Sequence, residues 1–310
     1  MQTILGSGGA IANHLTKELK KYSSEIRLVS RHPKKVDESN EIFPADLTNK
    51  ESVSKAVAGS EVVYLTAGLP YDIKIWRRDW PVIMQNVIDA CVEHNARLVF
   101  FDNIYAYSPD EVPNMTENSR KAPTTRKGKV RLDLLNMIFA AIKDNGLKAL
   151  VARSADFYGK DVKTGFLNFG VIDKLKKGSK AMWQSDAGKI HSLTYVPDAA
   201  KAVAILGNTL DAYNQEWHLP TSSQKWTGKD FINQVAQQLN VNPKYYILNK
   251  TMISLLGIFS TTIRELKEMQ YQNDRDYFFD SSKFDKHFSF TPTSYQEGIK
   301  ESLQGVGKNI

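Results

Sequence analysis

The chain has 310 residues, of which 42% are hydrophobic, 24% charged and 10% aromatic, and 41 Lys+Arg against 34 Asp+Glu give a formal net charge of +7. That composition suits one large globular domain or two unequal lobes, and it excludes a disordered or low-complexity chain. One cysteine, Cys91, excludes a disulfide framework, and six histidines without HxxxH or HxxE spacing give no metal site.

The N-terminus, "MQTILGSGG", lacks the charged region, apolar run and cleavage site of a signal peptide, so a cytoplasmic protein is expected. The run "ISLLGIF" at 253–259 is too short to span a bilayer, and no membrane partner is expected. In chain order, "QTIL" (2–5), "IRLVS" (26–30), "IFPA" (42–45), "VVYLTA" (62–67), "RLVFF" (97–101) and "LKALVAR" (147–153) read as strands. Between them 9–22, 50–59, 80–95 and 131–146 have helical periodicity, with Gly59 and Gly146 placed as C-caps and Cys91 on an apolar helix face. Strict alternation predicts parallel strands joined by right-handed crossovers, hence an α/β, Rossmann-type doubly wound parallel sheet.

The alternation loosens after about residue 155, where "DFYGKDVKTGF" is irregular. Then come a helix near 167–177, a strand at 191–196, a helix at 197–208 opened by Pro197, and a helix at 226–239 capped by Thr227. The expected organisation is a dinucleotide-binding domain over 1–155, to which 190–215 returns, and a smaller C-terminal α+β substrate lobe made mainly of 156–310.

The first strand runs straight into Gly6-Ser7-Gly8-Gly9-Ala10-Ile11-Ala12, which opens the first helix. Glycines there let the backbone turn tightly and approach a pyrophosphate, while the helix N-terminus offers N–H groups and a favourable dipole. At the end of the second strand, where an acidic residue would bond an adenosine ribose, the chain has "VSRHPKK". Ser30 and Arg31, supported by Lys34 and Lys35, suit a 2′-phosphate, which favours NADP as cofactor over NAD.

These features, with "ADL" (45–47), "TAG" (66–68), "DNIYAY" (102–107), "RSADFYG" (153–159) and "YVPDAAKAV" (195–203), resemble the extended and atypical short-chain dehydrogenase/reductase superfamily, especially its NAD-dependent epimerase/dehydratase group. The resemblance covers most of the chain, the first 210 residues best. It implies that Gly6, Gly8, Gly9, Ala10 and Ile11 hold the pyrophosphate, that Asp46 and Leu47 lie by the adenine, and that Thr66, Ala67 and Gly68 line the cofactor cleft. It also implies a homodimer through the helices at 80–95 and 131–145.

Two departures matter. The third glycine of the family's motif is Ala12, and the family's Ser or Thr and its Tyr-x-x-x-Lys are replaced by Asn103 and Lys127-x-x-x-Arg131. Positions 127 and 131 share a helical face, which in this fold looks toward cofactor and substrate. They belong to "NSRKAPTTRKGKVRL" (118–132), whose Arg120, Lys121, Arg126, Lys127, Lys129 and Arg131 account for most of the excess charge, since 7 − 6 = +1. Cations in a helix's first turn oppose its dipole, so an anion should compensate them: the cofactor's phosphates, or a small acidic substrate.

The catalytic candidates are therefore Lys127 as proton donor with Arg131 beside it, Asn103 as hydrogen-bond donor, and Tyr105 and Tyr107 as alternative proton donors. The expected function is an NAD(P)-dependent oxidoreductase or epimerase/dehydratase-like protein acting on a small polar anionic substrate. The alternative is a non-catalytic NADP-binding regulatory or redox-sensing protein, which loss of the tyrosine suggests. A nucleic-acid partner is not expected, because the basic residues concentrate in one stretch and no recognition helix is present.

Overall fold

The computed structural model describes residues 1–162, 165–257 and 260–304. Lys163 and Thr164 of the irregular stretch, and Ile258 and Phe259 of the short apolar run, lie outside them. The chain forms two compact units, one made of Met1–Ala106, Arg126–Ser154 and Ala199–Trp217, the other of Tyr107–Thr125, Ala155–Asp198 and 218–310.

In the first unit β1 (Gln2–Leu5), α1 (Ala10–Leu19), β2 (Ile26–Ser30), β3 (Glu41–Pro44), α2 (Lys50–Val57), β4 (Val62–Leu65), α3 (Ile73–Glu93), β5 (Arg97–Asp102), α4 (Arg126–Asn145) and β6 (Ala149–Arg153) follow in order. They build a seven-stranded Rossmann-like sheet of order β10-β6-β5-β4-β1-β2-β3, in which β10 (Glu216–His218) joins from much later in the chain. The pairs from β3 through β6 are parallel, in registers such as Leu5↔Leu65 and Leu65↔Phe100. Chain order reverses between β1 and β4. Doubly wound sheets bind ligands outside the strand ends at such a switch point.

Side chains alternate between the two faces of each strand. Leu5, Val63, Leu65, Leu98, Phe100 and Val151 form one buried cluster with Val53 of α2, Met84 and Val87 of α3, and Leu134 and Ile138 of α4. Ile4, Leu28, Tyr64, Val99 and Leu150 are equally buried on the other face. There α6 (Val196–Gly207) approaches so closely that a Cβ on Gly207 would lie 2.3 Å from the Tyr64 hydroxyl. Cys91 is buried, and burial pushes its thiol far above the usual range.

The helix expected over 80–95 begins earlier, at Ile73, where the Asp72 side chain accepts a hydrogen bond from the Lys74 N–H. Proline is favoured in a helix's first turn, but Pro81 does not occupy it. It sits instead inside the helix, where it leaves the carbonyl four residues back without its N–H. Trp76 and Trp80, which precede it, are buried and pack edge to face.

The second unit holds two small parallel sheets, β7 (Asp156–Tyr158) with β9 (Leu193–Tyr195), and β8 (Ala181–Gln184) with β11 (Tyr245–Leu248). The helix expected near 167–177 is a π-helical stretch, Leu167–Ile172, continued by α5 (Asp173–Lys176). Its core is aromatic: Trp183 stacks on Phe231 at 6.2 Å, and Tyr158 packs against Tyr195 and Tyr295. Thr227 caps α7 (Gly228–Leu239) in a reciprocal capping box with Asp230. The unit is completed by α8 (Lys250–Leu256), α9 (Thr261–Leu266), α10 (Ser282–His287) and α11 (Tyr295–Gln304). Among the described residues, no helix is long and apolar enough to cross a membrane.

Candidate functional site

The glycine turn lies at the switch point, between the end of β1 and the start of α1. Gly6 and Gly8 hold φ of +99° and +98°, a region that side chains rarely adopt. A Cβ on Gly6 would stand 2.3 Å from the Ala67 Cα, so the turn after β1 and the loop after β4 touch backbone to backbone. A Cβ on Gly8 or Gly9 would meet nothing within 4 Å, so the space in front of the turn is open. Gly9 caps α1 without a side-chain hydrogen bond, and the first turn, which includes Ala10 and Ile11, carries no acid. Ser7 Oγ is buried without a hydrogen-bond partner. Open backbone, an uncapped helix start and an unsatisfied hydroxyl together fit a pyrophosphate.

Thr66 holds this corner, its N–H donating to the Leu5 carbonyl at 2.9 Å, and Gly68 beyond it is exposed. Asp46 is exposed and accepts from both the N–H and the hydroxyl of Thr48, which lower its carboxyl below the usual range. Leu47 is buried, its carbonyl accepting from Asn86. At the end of β2, Ser30 is half-buried and Arg31 exposed, and among the described residues Arg31 makes no ion pair.

Four of the five catalytic candidates, Asn103, Tyr105, Lys127 and Arg131, fall in the first unit. Asn103 Oδ1 accepts the Tyr105 N–H at 3.0 Å, which closes a tight turn just past β5. The Tyr105 ring stacks on Trp76. Lys127 is fully buried, its Nζ 4.6 Å from the centroid of the Tyr71 ring.

Arg131 is 6% exposed, and its guanidinium lies 4.3 Å over Trp80 and 4.9 Å over Trp76. Burial pushes that guanidinium below its ordinary value, and the Asp102 carboxylate, 3.5 Å away, opposes the effect. Asp102 also accepts from Arg153 at 2.9 Å, and Arg153 reaches on to the Asn103 carbonyl and to Glu216. The anion that the sequence reading required beside Arg131 is thus supplied, in part, from within the fold.

Tyr107 belongs to the second unit, where it is buried and its hydroxyl lies 2.7 Å from His218 Nε2. His218 Nδ1 is 2.7 Å from the Asp280 carbonyl, which can only accept. Nδ1 therefore carries the proton in the neutral ring, and the Tyr107 O–H donates to Nε2. The remaining cations of 118–132 divide. Arg120 meets Ser108 and Asp110, Lys121 donates to the Glu117 carbonyl, and Arg126 and Lys129 are exposed.

Sequence reasoning missed Tyr71, Asp102 and Arg153. The two ions had a signal: each ends an apolar strand, and the β5–β6 register sets Asp102 opposite Arg153. Tyr71, in a loop without periodicity, had none.

Residues 6–131 match a family model described as NAD(P)H-binding. No curated protein matches the chain. Among solved structures, the UDP-N-acetylglucosamine 4-epimerase of Bacillus cereus is similar at a TM-score of 0.77 and 18% identity, over 99% of this chain and 97% of that one. The Thermus thermophilus UDP-glucose 4-epimerase in complex with NAD also gives 0.77 and 18%, over 98% of each chain. A Streptomyces venezuelae dTDP-glucose 4,6-dehydratase with NAD bound gives 0.79 at 12% identity, over 100% of this chain and 97% of that one. The resemblance read from the motifs is thus met twice, by an NAD(P)H-binding segment and by a fold shared with sugar-nucleotide epimerases and dehydratases.

Proposed function

We propose that the protein binds a nicotinamide dinucleotide, NADP in preference to NAD, and uses it as a reductase, dehydrogenase or epimerase of a small polar anionic substrate. The observation that carries this reading is the glycine turn, open at Gly8 and Gly9, with the Ser7 hydroxyl unsatisfied beside it. Gly6, Gly8, Gly9, Ala10 and Ile11 would hold the pyrophosphate, Asp46 and Leu47 would flank the adenine, and Thr66, Ala67 and Gly68 would line the nicotinamide side. Ser30 and Arg31 would take the 2′-phosphate, since a cation without a protein carboxylate partner is available to it. The bound cofactor supplies a hydride to, or accepts one from, a substrate carbon.

Asn103 would hydrogen-bond a substrate oxygen through its Nδ2, its Oδ1 being engaged by the Tyr105 N–H. Lys127, fully buried beneath the Tyr71 ring, would supply positive charge from behind the site. The UDP-sugars and dTDP-glucose of the structural neighbours make a nucleotide sugar the first substrate class to screen. The proposal includes a cytoplasmic location and a second copy of the chain docked on the outer faces of α3 and α4; on α3, Val82 and Val92 are exposed apolar side chains. Light scattering tests the dimer.

A second reading, a non-catalytic cofactor-binding protein, draws on one observation. Arg131 stands where the family has its lysine, and it is committed to Trp76, Trp80 and Asp102. Paired titrations with NADPH and NADH, followed by tryptophan fluorescence, test the cofactor. Turnover of any carbonyl or nucleotide-sugar substrate then separates enzyme from binding protein.

A further inference from the structure

The loops that follow β4 and β5 bring together two tyrosines that are remote in sequence. These strands are parallel neighbours, with Leu65 opposite Phe100, so both chains leave the sheet at one edge. The Tyr71 and Tyr105 hydroxyls are 3.3 Å apart, and both residues are partly exposed. Trp76 braces the pair, edge-on to Tyr71 and stacked on Tyr105 with an interplanar angle of 19°. Its own indole N–H is tied to the Pro70 carbonyl at 3.0 Å. The backbone of Tyr105 is held by Asn103. Beneath them the fully buried Lys127 places its ammonium over the Tyr71 ring.

We infer that Tyr71 and Tyr105 together form the proton-exchanging group of this site, acting on a carbonyl or hydroxyl oxygen of the substrate with Lys127 as the fixed cation behind them. The inference rests on the cofactor reading above for its reaction, and on the tyrosine geometry for its residues. A hydrogen-bonded pair of phenols has two hydroxyl protons, of which one lies between the oxygens and the other points out of the pair. When the outward proton moves to a substrate oxygen, the phenolic O–H bond breaks, a new O–H bond forms, and the electron pair stays behind as phenolate. The second phenol donates a hydrogen bond to that phenolate, and Lys127 lies in its field; both favour the charged form. In the opposite direction the phenolate takes the proton of a substrate hydroxyl. The proton step oxidises nothing, because the hydride belongs to the nicotinamide. A separation of 3.3 Å is long for O–H···O, and hydrogen bonds of this kind shorten when substrate binds.

A second cation near the pair has a carboxylate of its own. Arg131, on the same helix as Lys127, feels both tyrosines electrostatically and is balanced by Asp102. Lys127 Nζ lies 4.6 Å from the centroid of the Tyr71 ring.

The test is residue-resolved titration by NMR of protein isotope-labelled at the tyrosine ring carbon that bears oxygen, with the Tyr71→Phe and Tyr105→Phe spectra supplying assignments. In Tyr71→Phe, Tyr105 should ionise at higher pH than in the wild type, and in Lys127→Met both tyrosines should do so. Ionisation of Tyr105 at the same pH in all three proteins would reduce the pair to packing and overturn the inference. If Lys127→Met does not fold, the Tyr71→Phe comparison decides alone. This measurement needs no cofactor, so it stands apart from the titrations with NADPH and NADH: failure of both to bind ends the functional proposal but leaves the coupling of the tyrosines measurable. With an active substrate, each Phe variant should lower kcat on the order of a hundredfold at unchanged cofactor affinity; an unchanged kcat in both overturns the inference as well.

Discussion

Arg131 Nη1 stands 3.5 Å from Asp102 Oδ1 with both side chains buried, and the same carboxylate accepts from Arg153 through its other oxygen. One acid therefore serves two buried guanidinium groups. Removing it deprives Arg131 of this carboxylate and leaves Arg153 with Glu216 alone, and breaking a buried pair costs roughly 3–5 kcal/mol. Asp102→Ala should lower the urea midpoint far more than Arg131→Leu, because Leu keeps apolar contact with Trp76 and Trp80 and leaves the Asp102–Arg153 pair intact. The reverse order would mean that stacking of Arg131 on the indoles, not its charge, holds this corner.

Gly6 and Gly8 share a backbone conformation but not an environment. Placing alanine at either adds strain on the order of 1–3 kcal/mol. At Gly6 the new methyl also strikes the Ala67 backbone, whereas at Gly8 it enters open space. Gly6→Ala should therefore melt well below Gly8→Ala, while Gly8→Ala should fold and fail to bind either dinucleotide. Calorimetry and fluorescence titration check the two halves. Cofactor binding by Gly8→Ala at wild-type strength would place the phosphates elsewhere.

Arg31→Ala should weaken NADPH binding by about tenfold or more, equivalent to about 1.4 kcal/mol, and leave NADH binding nearly unchanged. The residue is exposed at the end of β2, so the substitution should not alter the melting temperature. Equal loss for both cofactors would remove the basis for NADP preference.

Asp285 provides a pH dependence whose sign can be worked out. Burial pushes its carboxyl up from the ordinary 3.8 to about 6, although the Ser281 hydroxyl, which donates to it, works the other way. Between those values the folded protein holds a proton that the unfolded chain has released. Stability from this residue is thus highest below the lower value and falls as pH rises through the upper one. Asp285→Asn, which cannot ionise, should flatten the stability profile between about pH 4 and 6 and raise the melting temperature at neutral pH. A profile of unchanged slope would show that Asp285 is ionised in the fold throughout that range.

The six strands from β1 to β6 were legible because each is a short apolar run bounded by turn residues, and the helices between them because apolar residues recur at helical spacing. The glycine turn was legible from its place after β1. Strand β10 was not: three residues, Glu216–His218, carry too little pattern to identify a strand. The start of α3 lies earlier than the periodicity over 80–95 indicated, at Ile73. Lys127 and Arg131 were visible as a basic pair, but nothing local announced that Asp102 would meet Arg131, since that contact depends on how α4 lies across β5. Tyr71 and Tyr105 are 34 residues apart, and only the parallel register of their strands joins them.

Strand β10 has a consequence for how the protein is made. Arg153 and its partner Glu216 are separated by 63 residues, and the last stretch of the first unit ends at Trp217. A nascent chain that has cleared the ribosome only as far as Ser154 has neither Glu216 to meet Arg153 nor β10 to cover the outer side of β6. Until the later residues emerge, β6 is a bare edge with a charged group awaiting its counterpart, the kind of surface that invites pairing with another unfinished chain. The first unit, although it begins the chain, is completed only after most of the polypeptide has been synthesised.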